Sequence, residues 1–218
     1  MSAGILQWNP LSGTLQQLVK LAGTAMGWDK AKAFFVSDIE AFSKTSPKDG
    51  IAFVQQHYLD ATNPKKLSQA AQTAWHAFLS TDEAIAAERS LAESTVLAHA
   101  HRLAALFTPE YATRSRTIAF FFDLCTQQGS MANLKPVPNP TPAACLNFAK
   151  LQDPACAALW ETAAASEPLA QVLLYYGYAR ASQARSTFVW DCLSRRGTIA
   201  CRKGVADKTH MDFTTLLD

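Results

Sequence analysis

The chain has 218 residues, of which 49% are hydrophobic and 17% are charged, and its formal net charge is +2. This much apolar sequence is enough for one domain with a substantial core, so a wholly disordered chain is excluded. The small net charge and the lack of a long Lys/Arg cluster argue against a dedicated nucleic-acid binder. We therefore expect no nucleic-acid partner.

Export and membrane signals are not evident in the sequence. The first residues contain no basic leader followed by an apolar stretch, and no apolar run approaches the roughly 18 residues that a membrane-spanning helix needs. We expect no membrane span and no signal peptide of the chain's own.

Helix signals dominate when the elements are taken in chain order. Apolar residues recur at three-to-four spacing from Leu15 to Met26 and again from Phe34 to Phe42, which predicts two amphipathic helices. Capping residues that precede a proline or an acid predict further helices that begin near positions 81, 109, 142, 154 and 168. These signals are Ser80 with Glu83, Thr108-Pro109, Thr141-Pro142, Asp153-Pro154 and Pro168.

The second half of the chain predicts one long helix from Pro168 to about Arg196, with Gly197 at its end. The stretch from Pro136 to Pro142 cannot be helical, because each proline removes a donor and restricts the preceding residue. Only Gly4 to Trp8 and Thr198 to Cys201 suit short strands. The predicted fold class is all-α, with at most a short β-hairpin near the N-terminus.

The cysteines and histidines predict no metal site and no cofactor. Five cysteines without a C-x-x-C pair leave at least one free thiol. The pairs Cys192–Cys201 and Cys145–Cys156 suit disulfides in an oxidising compartment, and the alternative is small buried apolar side chains. His99 and His101 are two residues apart, so a helix points them to different faces.

Three segments resemble a known group of cell-wall proteins. Residues from Ser2 to Gln16 are similar to the pattern D-G-x-G-x-S-x-G-x-L-Q-W-N followed by G-x-L-Q. The segment from Asp123 to Ser130 resembles F-D-x-x-x-Q-N-G, with Gln128 in place of the asparagine. The segment from Trp190 to Ala200 resembles D-V-x-x-R-x-x-I-A-x-G, although the glycine-rich run that follows is replaced by Cys201 to Asp207. The order of the three segments matches that of chitosanase-like peptidoglycan hydrolases in the lysozyme superfamily.

This resemblance implies a function and a context. Such domains occur in phage endolysins and in antibacterial type VI secretion effectors, and they hydrolyse peptidoglycan glycan strands. It implies a glycoside hydrolase delivered to the periplasm or cell wall of a target cell. Its partners would be glycan strands, together with a cognate immunity protein or a component of the secretion apparatus. We expect one lysozyme-like domain over residues 1–218, forming the C-terminal part of a longer protein.

The catalytic residues follow from the chemistry of glycosidases, which need one protonated acid and one ionised carboxylate. In the group that the chain resembles, the general acid lies on a helix before the first motif, which would place it upstream of Met1. Ser2 corresponds to a hydroxyl that orients the attacking water. Within the chain, Asp123 lies among phenylalanines that favour its protonated form, and Glu40 is the best substitute acid. The alternatives are a structural Asp123 bonded to Arg180 or Arg196, and a Glu40 on a solvated helix face.

Substrate contacts are expected from Gln7, Trp8 and Asn9, whose amides and aromatic ring suit a sugar groove. Trp8 is equally well explained as a core residue, and Asn9-Pro10 as the start of a turn. Gln127 and Gln128 suit either capping of backbone carbonyls or contact with N-acetyl groups.

Three hypotheses of different classes remain open from the sequence. The first is a muramidase-type hydrolase, acting by direct water attack if it follows the inverting enzymes that it resembles. The second is a non-catalytic peptidoglycan-binding module that lacks the acid. The third is a helical interaction or toxin-partner domain in which the motif matches are purely structural.

Overall fold

The computed structural model describes residues 9–206 and 209–218. The chain is mainly α-helical, and the described residues contain one two-stranded antiparallel sheet, which confirms the predicted fold class. That hairpin lies near the C-terminus, whereas the strand predicted over residues 4–8 lies outside the described residues. None of the described helices has the length and apolar character that a bilayer crossing requires.

Two compact units divide the chain, Met1–Thr95 and Val96–Asp218, and a π-helical segment Ala92–Leu97 lies at their boundary. The predicted single lysozyme-like domain stays a prediction. In the first unit the helices are α1 Thr14–Met26, α2 Trp28–Lys32, α3 Ile39–Ser43, α4 Pro47–His57, α5 Gln69–Leu79 and α6 Asp82–Leu91.

Side-chain caps explain where the helices of the first unit begin. Ser46 and Ser68 accept hydrogen bonds from backbone N–H groups at the starts of α4 and α5. Thr81 does the same for α6, so the predicted start near 81 is confirmed, but the cap is not Ser80. The Ser80 hydroxyl instead donates to the carbonyl oxygen of His76 at 2.8 Å.

Helix α1 confirms the first predicted amphipathic helix, because Leu15, Leu18, Val19 and Ala22 are all fully buried. The helix predicted across Phe34 to Phe42 is wrong. Asp38 interrupts it by accepting bonds at 3.1 Å from two backbone N–H groups at the start of α3. The aromatic residues before this break still pack inward.

An aromatic cluster forms much of the first unit's core. Phe35 lies 4.9 Å from Trp75 between ring centroids, and Phe78 lies 5.4 Å from Phe35. Edge-to-face pairs of this kind add roughly 1 kcal/mol each beyond their buried area. The spacing of these residues therefore reports core packing.

The second unit contains the remaining helices and the hairpin. These elements are α7 Ala98–Phe107, α8 Ser115–Gln128, α9 Ala143–Gln152, α10 Pro154–Ser166, α11 Pro168–Ala181, α12 Val189–Cys201, β1 Lys203–Ala206 and β2 Thr209–Asp212. The predicted starts near 142, 154 and 168 are confirmed, and Asp153 caps α10 by accepting a bond from the Cys156 N–H at 2.9 Å. The stretch from Pro136 to Pro142 is not helical, as predicted.

Other boundaries in this unit differ from the sequence predictions. The start at 109 gives only a 3-10 turn, Pro109–Tyr111, and α8 begins at Ser115. The long helix predicted from Pro168 to Arg196 is two helices, because α11 ends at Ala181 and α12 begins at Val189. The strand predicted at Thr198 to Cys201 is the last turn of α12.

The prediction that Gly197 ends a helix is wrong, because this residue lies inside α12. A methyl group added there would come within 2.2 Å of the Trp160 ring, which is itself fully buried. The glycine therefore permits α12 and α10 to approach closely.

The five cysteines are all free thiols, so neither predicted disulfide is present. Cys145, Cys156, Cys192 and Cys201 are buried, and Cys125 is partly buried. Burial raises the pKa of the Cys145 thiol to about 12. The alternative interpretation, small buried apolar side chains, matches the structure.

Candidate functional site

The second and third motif segments meet in the second unit. Helix α8 places Asp123 on the same face as Phe120 and Leu124, which are fully buried. Helix α12 places Arg195 and Arg196 opposite that carboxylate, although they lie 72 and 73 positions further along the chain. The result is a polar cluster inside an otherwise apolar helix interface.

The Asp123 carboxylate is held by two guanidinium groups. Its Oδ1 accepts bonds from Nη2 and Nε of Arg195 at 2.7 and 3.1 Å. Its Oδ2 lies 3.5 Å from Nε of Arg196, which is an ion-pair distance longer than a good hydrogen bond. Asp123 is 7% exposed and Arg196 is fully buried. These contacts suit the structural alternative, in which Asp123 pairs with an arginine, and a catalytic role for Asp123 stays a prediction.

Arg196 also organises the two glutamines at the end of α8. Its Nη2 donates to Oε1 of Gln127 at 3.0 Å, and its Nη1 donates to Oε1 of Gln128. Burial lowers the pKa of the Arg196 guanidinium from its usual value, while the Asp123 charge opposes that shift. Since arginine remains charged in proteins, the surrounding oxygens compensate a buried cation.

Both polar atoms of the Gln128 side-chain amide are hydrogen-bonded, because its Oε1 accepts from Arg196 and its Nε2 donates to the Arg180 carbonyl at 3.3 Å. Arg180 in turn donates from Nε to the Ser130 carbonyl at 2.6 Å and from Nη2 to the Gln128 carbonyl at 3.1 Å. The carbonyls past the end of α8 are therefore capped by Arg180. Gln127 and Gln128 contact Arg196 rather than an open surface, and their binding of N-acetyl groups stays a prediction.

Glu40 lies in the first unit, on α3, between two lysines. Its Oε2 is 2.7 Å from Nζ of Lys32 and its Oε1 is 2.7 Å from Nζ of Lys44. The hydrogen bond from Lys32, followed by that from Lys44, lowers the pKa of Glu40 to about 2. A carboxyl group with this pKa is ionised at neutral pH, whereas a general acid must hold a proton. The two lysine contacts suit the alternative of a helix-face side chain, and the catalytic role of Glu40 stays a prediction.

Asn9 has a structural role at the start of the described chain. Its Oδ1 accepts a bond from the Ser12 N–H at 3.0 Å and caps the 3-10 turn Pro10–Ser12. Its own N–H donates to Oγ1 of Thr14 at 3.2 Å. This agrees with the turn alternative, while the predicted contacts of Ser2, Gln7 and Trp8 lie outside the described residues.

Sequence reasoning missed Arg195 as the main partner of Asp123 and named Arg180 and Arg196 instead. Arg180 binds the end of α8, and Arg195 makes the shorter contacts to the carboxylate. The third motif could have identified Arg195, because this residue is adjacent to Arg196 in the chain. No group of three or more His, Cys, Asp or Glu side chains among the described residues is arranged to hold a metal ion.

Comparison with models of known protein families, with curated proteins and with solved structures found no match. The resemblance to peptidoglycan hydrolases therefore rests on the three sequence motifs.

Proposed function

We propose that this chain is a peptidoglycan glycan-strand hydrolase module of the lysozyme superfamily. One observation carries the proposal: the three motifs occur in the order typical of that group, and two of them are joined by the contacts of Asp123 with Arg195 and Arg196. Residues about 70 positions apart thus form one buried cluster. Two motifs whose residues contact each other in the structure are a more specific signal than one isolated sequence match.

The roles that we propose for Asp123 and Glu40 follow from the environment of each carboxylate. Asp123 positions α8 against α12 through its ion pairs, and Glu40 is a partly exposed, ionised side chain. A general acid must hold a proton at neutral pH, which the low pKa of Glu40 does not allow, and the Asp123 carboxylate already contacts two arginines. The acid then comes from elsewhere, in line with its expected place before the first motif, while Ser2 orients water and Gln7 and Trp8 contact the sugars.

The biological setting belongs to the same proposal. A hydrolase of this kind would act on the wall of a target cell after delivery by a phage or a type VI secretion apparatus. A cognate immunity protein would protect the producing cell.

A non-catalytic peptidoglycan-binding module is the second candidate function. It is favoured by the cationic partners of the two predicted in-chain acids, since Glu40 contacts two lysines and Asp123 contacts two arginines. Both candidates require glycan binding, and only the first requires bond cleavage.

Binding is tested by sedimentation of the 218-residue chain with purified peptidoglycan sacculi. We expect Trp8→Ala and Gln7→Ala to reduce the bound fraction at least tenfold, since each removes a direct sugar contact. Gln56→Ala, an exposed position on α4, is the matched control and should bind as the unaltered chain does. Binding that survives both substitutions in the first motif would exclude both candidate functions.

A further inference from the structure

A cavity of about 600 Å³ opens on the second unit, separate from the Asp123 cluster. Its walls come from the end of α7, the 3-10 turn Pro109–Tyr111, the proline-rich stretch and the start of α11. This volume lies inside the range of about 300–1,000 Å³ that is typical of small-molecule sites. The cavity is large enough for a short saccharide.

Prolines make these walls stiff. Each proline has a fixed φ angle, so a wall built from them loses little conformational freedom when a ligand binds. Val137 anchors the stretch by donating its N–H to the Tyr176 hydroxyl at 2.9 Å. The lining prolines are Pro109, Pro138, Pro140 and Pro168.

The polar groups of the cavity suit an uncharged polar ligand. Asn139 and Glu110 contribute an amide and a carboxylate, and no lysine or arginine among the described residues lines this cavity. Gln171 is held in place because its Nε2 donates to the Ala164 carbonyl at 2.7 Å. Tyr111 adds a ring against which the C–H face of a sugar can pack.

A second cavity of about 350 Å³ shares Tyr111 and Pro168 with the first, and its charge is different. Its wall contains Arg114, Arg116 and Arg202 together with the acids Glu167 and Asp218. Counted by side chains, three guanidinium groups against two carboxylates leave one positive charge in excess. We call the two the joined cavities because Tyr111 and Pro168 line both. The first has one acidic side chain, Glu110, and the second forms a cationic end with its three arginines.

The cationic end already holds a carboxylate of the chain itself. Asp218 Oδ1 accepts bonds from the Ser115 hydroxyl at 2.6 Å and from the Arg116 N–H at 3.2 Å. Its Oδ2 lies 3.6 Å from Nη1 of Arg114. Glu167 is bound by the other two arginines, so Arg114, whose side chain is 58% exposed, is the group in reach of an incoming anion.

We propose that these joined cavities bind a short saccharide that carries a carboxylate, with the sugar rings against Tyr111 and the carboxylate at Arg114. The choice of an amino-sugar ligand rests on the proposed function, because the muramic acid of peptidoglycan carries a lactyl carboxylate, which is free where no peptide stem is attached. The site itself is distinct from the first motif. Asp218 competes with the ligand for Arg114.

The test uses two disaccharides that differ only in a 3-O-lactyl group, which carries a carboxylate. N-acetylglucosaminyl-N-acetylmuramic acid carries it and N,N′-diacetylchitobiose does not, and binding of each to the whole chain is measured by calorimetry or by NMR titration. We expect the acidic disaccharide to bind more tightly, by the two- to fivefold that an exposed ion pair gives at about 0.5–1 kcal/mol. Added salt should remove that difference.

Substitutions assign the difference to residues. Arg114→Ala should abolish the preference for the acidic disaccharide, and Asp218→Asn should increase it about two- to fivefold by removing the competing charge. Tyr111→Ala should weaken both ligands about tenfold. Arg185→Ala, an exposed arginine that does not line either cavity, is the matched control and should change neither affinity.

Equal affinities for the two disaccharides, or a preference that survives Arg114→Ala, would overturn the inference. So would the absence of saturable binding up to about 10 mM. Sedimentation with sacculi reports separately on Trp8, so a failure of the joined cavities and a failure of the proposed function are distinguishable.

Discussion

The buried carboxylate of Asp123 shows how one residue in a motif can be explained without catalysis. Two guanidinium groups neutralise it, and Arg196, fully buried, has two glutamine oxygens as further partners. Removing one member of such a cluster leaves the others buried and uncompensated, which costs more than the pair contributes in total.

Asp123→Asn is therefore expected to lower the free energy of unfolding by about 3 kcal/mol. The control is Glu161→Gln, which removes an exposed ion pair with Lys150 and should cost less than about 1 kcal/mol. Urea unfolding followed by circular dichroism measures both. An Asp123→Asn variant as stable as the control would contradict a structural role.

The charge of Glu40 gives a prediction for pH dependence. Its folded pKa of about 2 lies below the ordinary value of 4.5, so its contribution to stability is complete above pH 4.5 and is lost as the pH falls towards 2. Glu40→Gln should flatten the loss of stability in this interval. Lys32→Met, which removes one of the two partners, should give a smaller flattening. If the free energy of unfolding depends on pH in the same way for Glu40→Gln and for the unaltered chain, the result would count against the two lysine contacts.

At the scale of elements, the sequence predicted the helices that start with a local cap. Asp153-Pro154 begins α10 as expected, because the cap and the helix are adjacent in the chain. The start of α8 was missed, since its capping carboxylate comes from Asp218, about a hundred residues away. Local patterns cannot report a cap supplied by a distant residue.

Glycine was the least reliable signal. Gly197 was interpreted as a helix end, a common position for glycine. The structure places it inside α12 because the Trp160 ring occupies the space of a side chain. No local sequence pattern indicates that these two residues are neighbours.

Two glycines in neighbouring helices offer a matched pair. Gly197→Ala would force a methyl group into the Trp160 ring and should cost about 2 kcal/mol or more. Gly177→Ala on α11 meets Phe120 at 3.4 Å, an ordinary contact, and should be neutral or stabilise by up to about 1 kcal/mol through helix propensity. Thermal unfolding compares them, and equal melting temperatures would contradict the close approach of α10 and α12.

At the scale of the whole molecule, the fold class followed from composition and helix signals, but the joined cavities did not. Their walls come from α7, the proline-rich stretch and α11, which lie far apart in the chain. Taken alone, each segment has the sequence pattern of a loop or a helix end. The concave surface forms only when the three segments pack together. The candidate site was likewise recognised from motifs, while Arg195 was identified only from the geometry.

The free thiols predict that stability does not depend on redox state. Alkylation in denaturant without a reductant should modify all five cysteines, as seen by intact mass. A sample reduced beforehand serves as the control and should give the same mass and the same melting temperature. A mass deficit of two alkyl groups without reduction would reveal a disulfide.

The most direct test of the central proposal is the release of soluble muropeptides from purified sacculi. The 218-residue chain would be compared with a version extended before residue 1 by about one helix and a hairpin, which is where the resemblance to the hydrolases places the general acid. Release by the extended version, with none from the shorter chain, is the predicted result. If neither version releases muropeptides while both still bind sacculi, the result would contradict a hydrolase and leave a peptidoglycan-binding module.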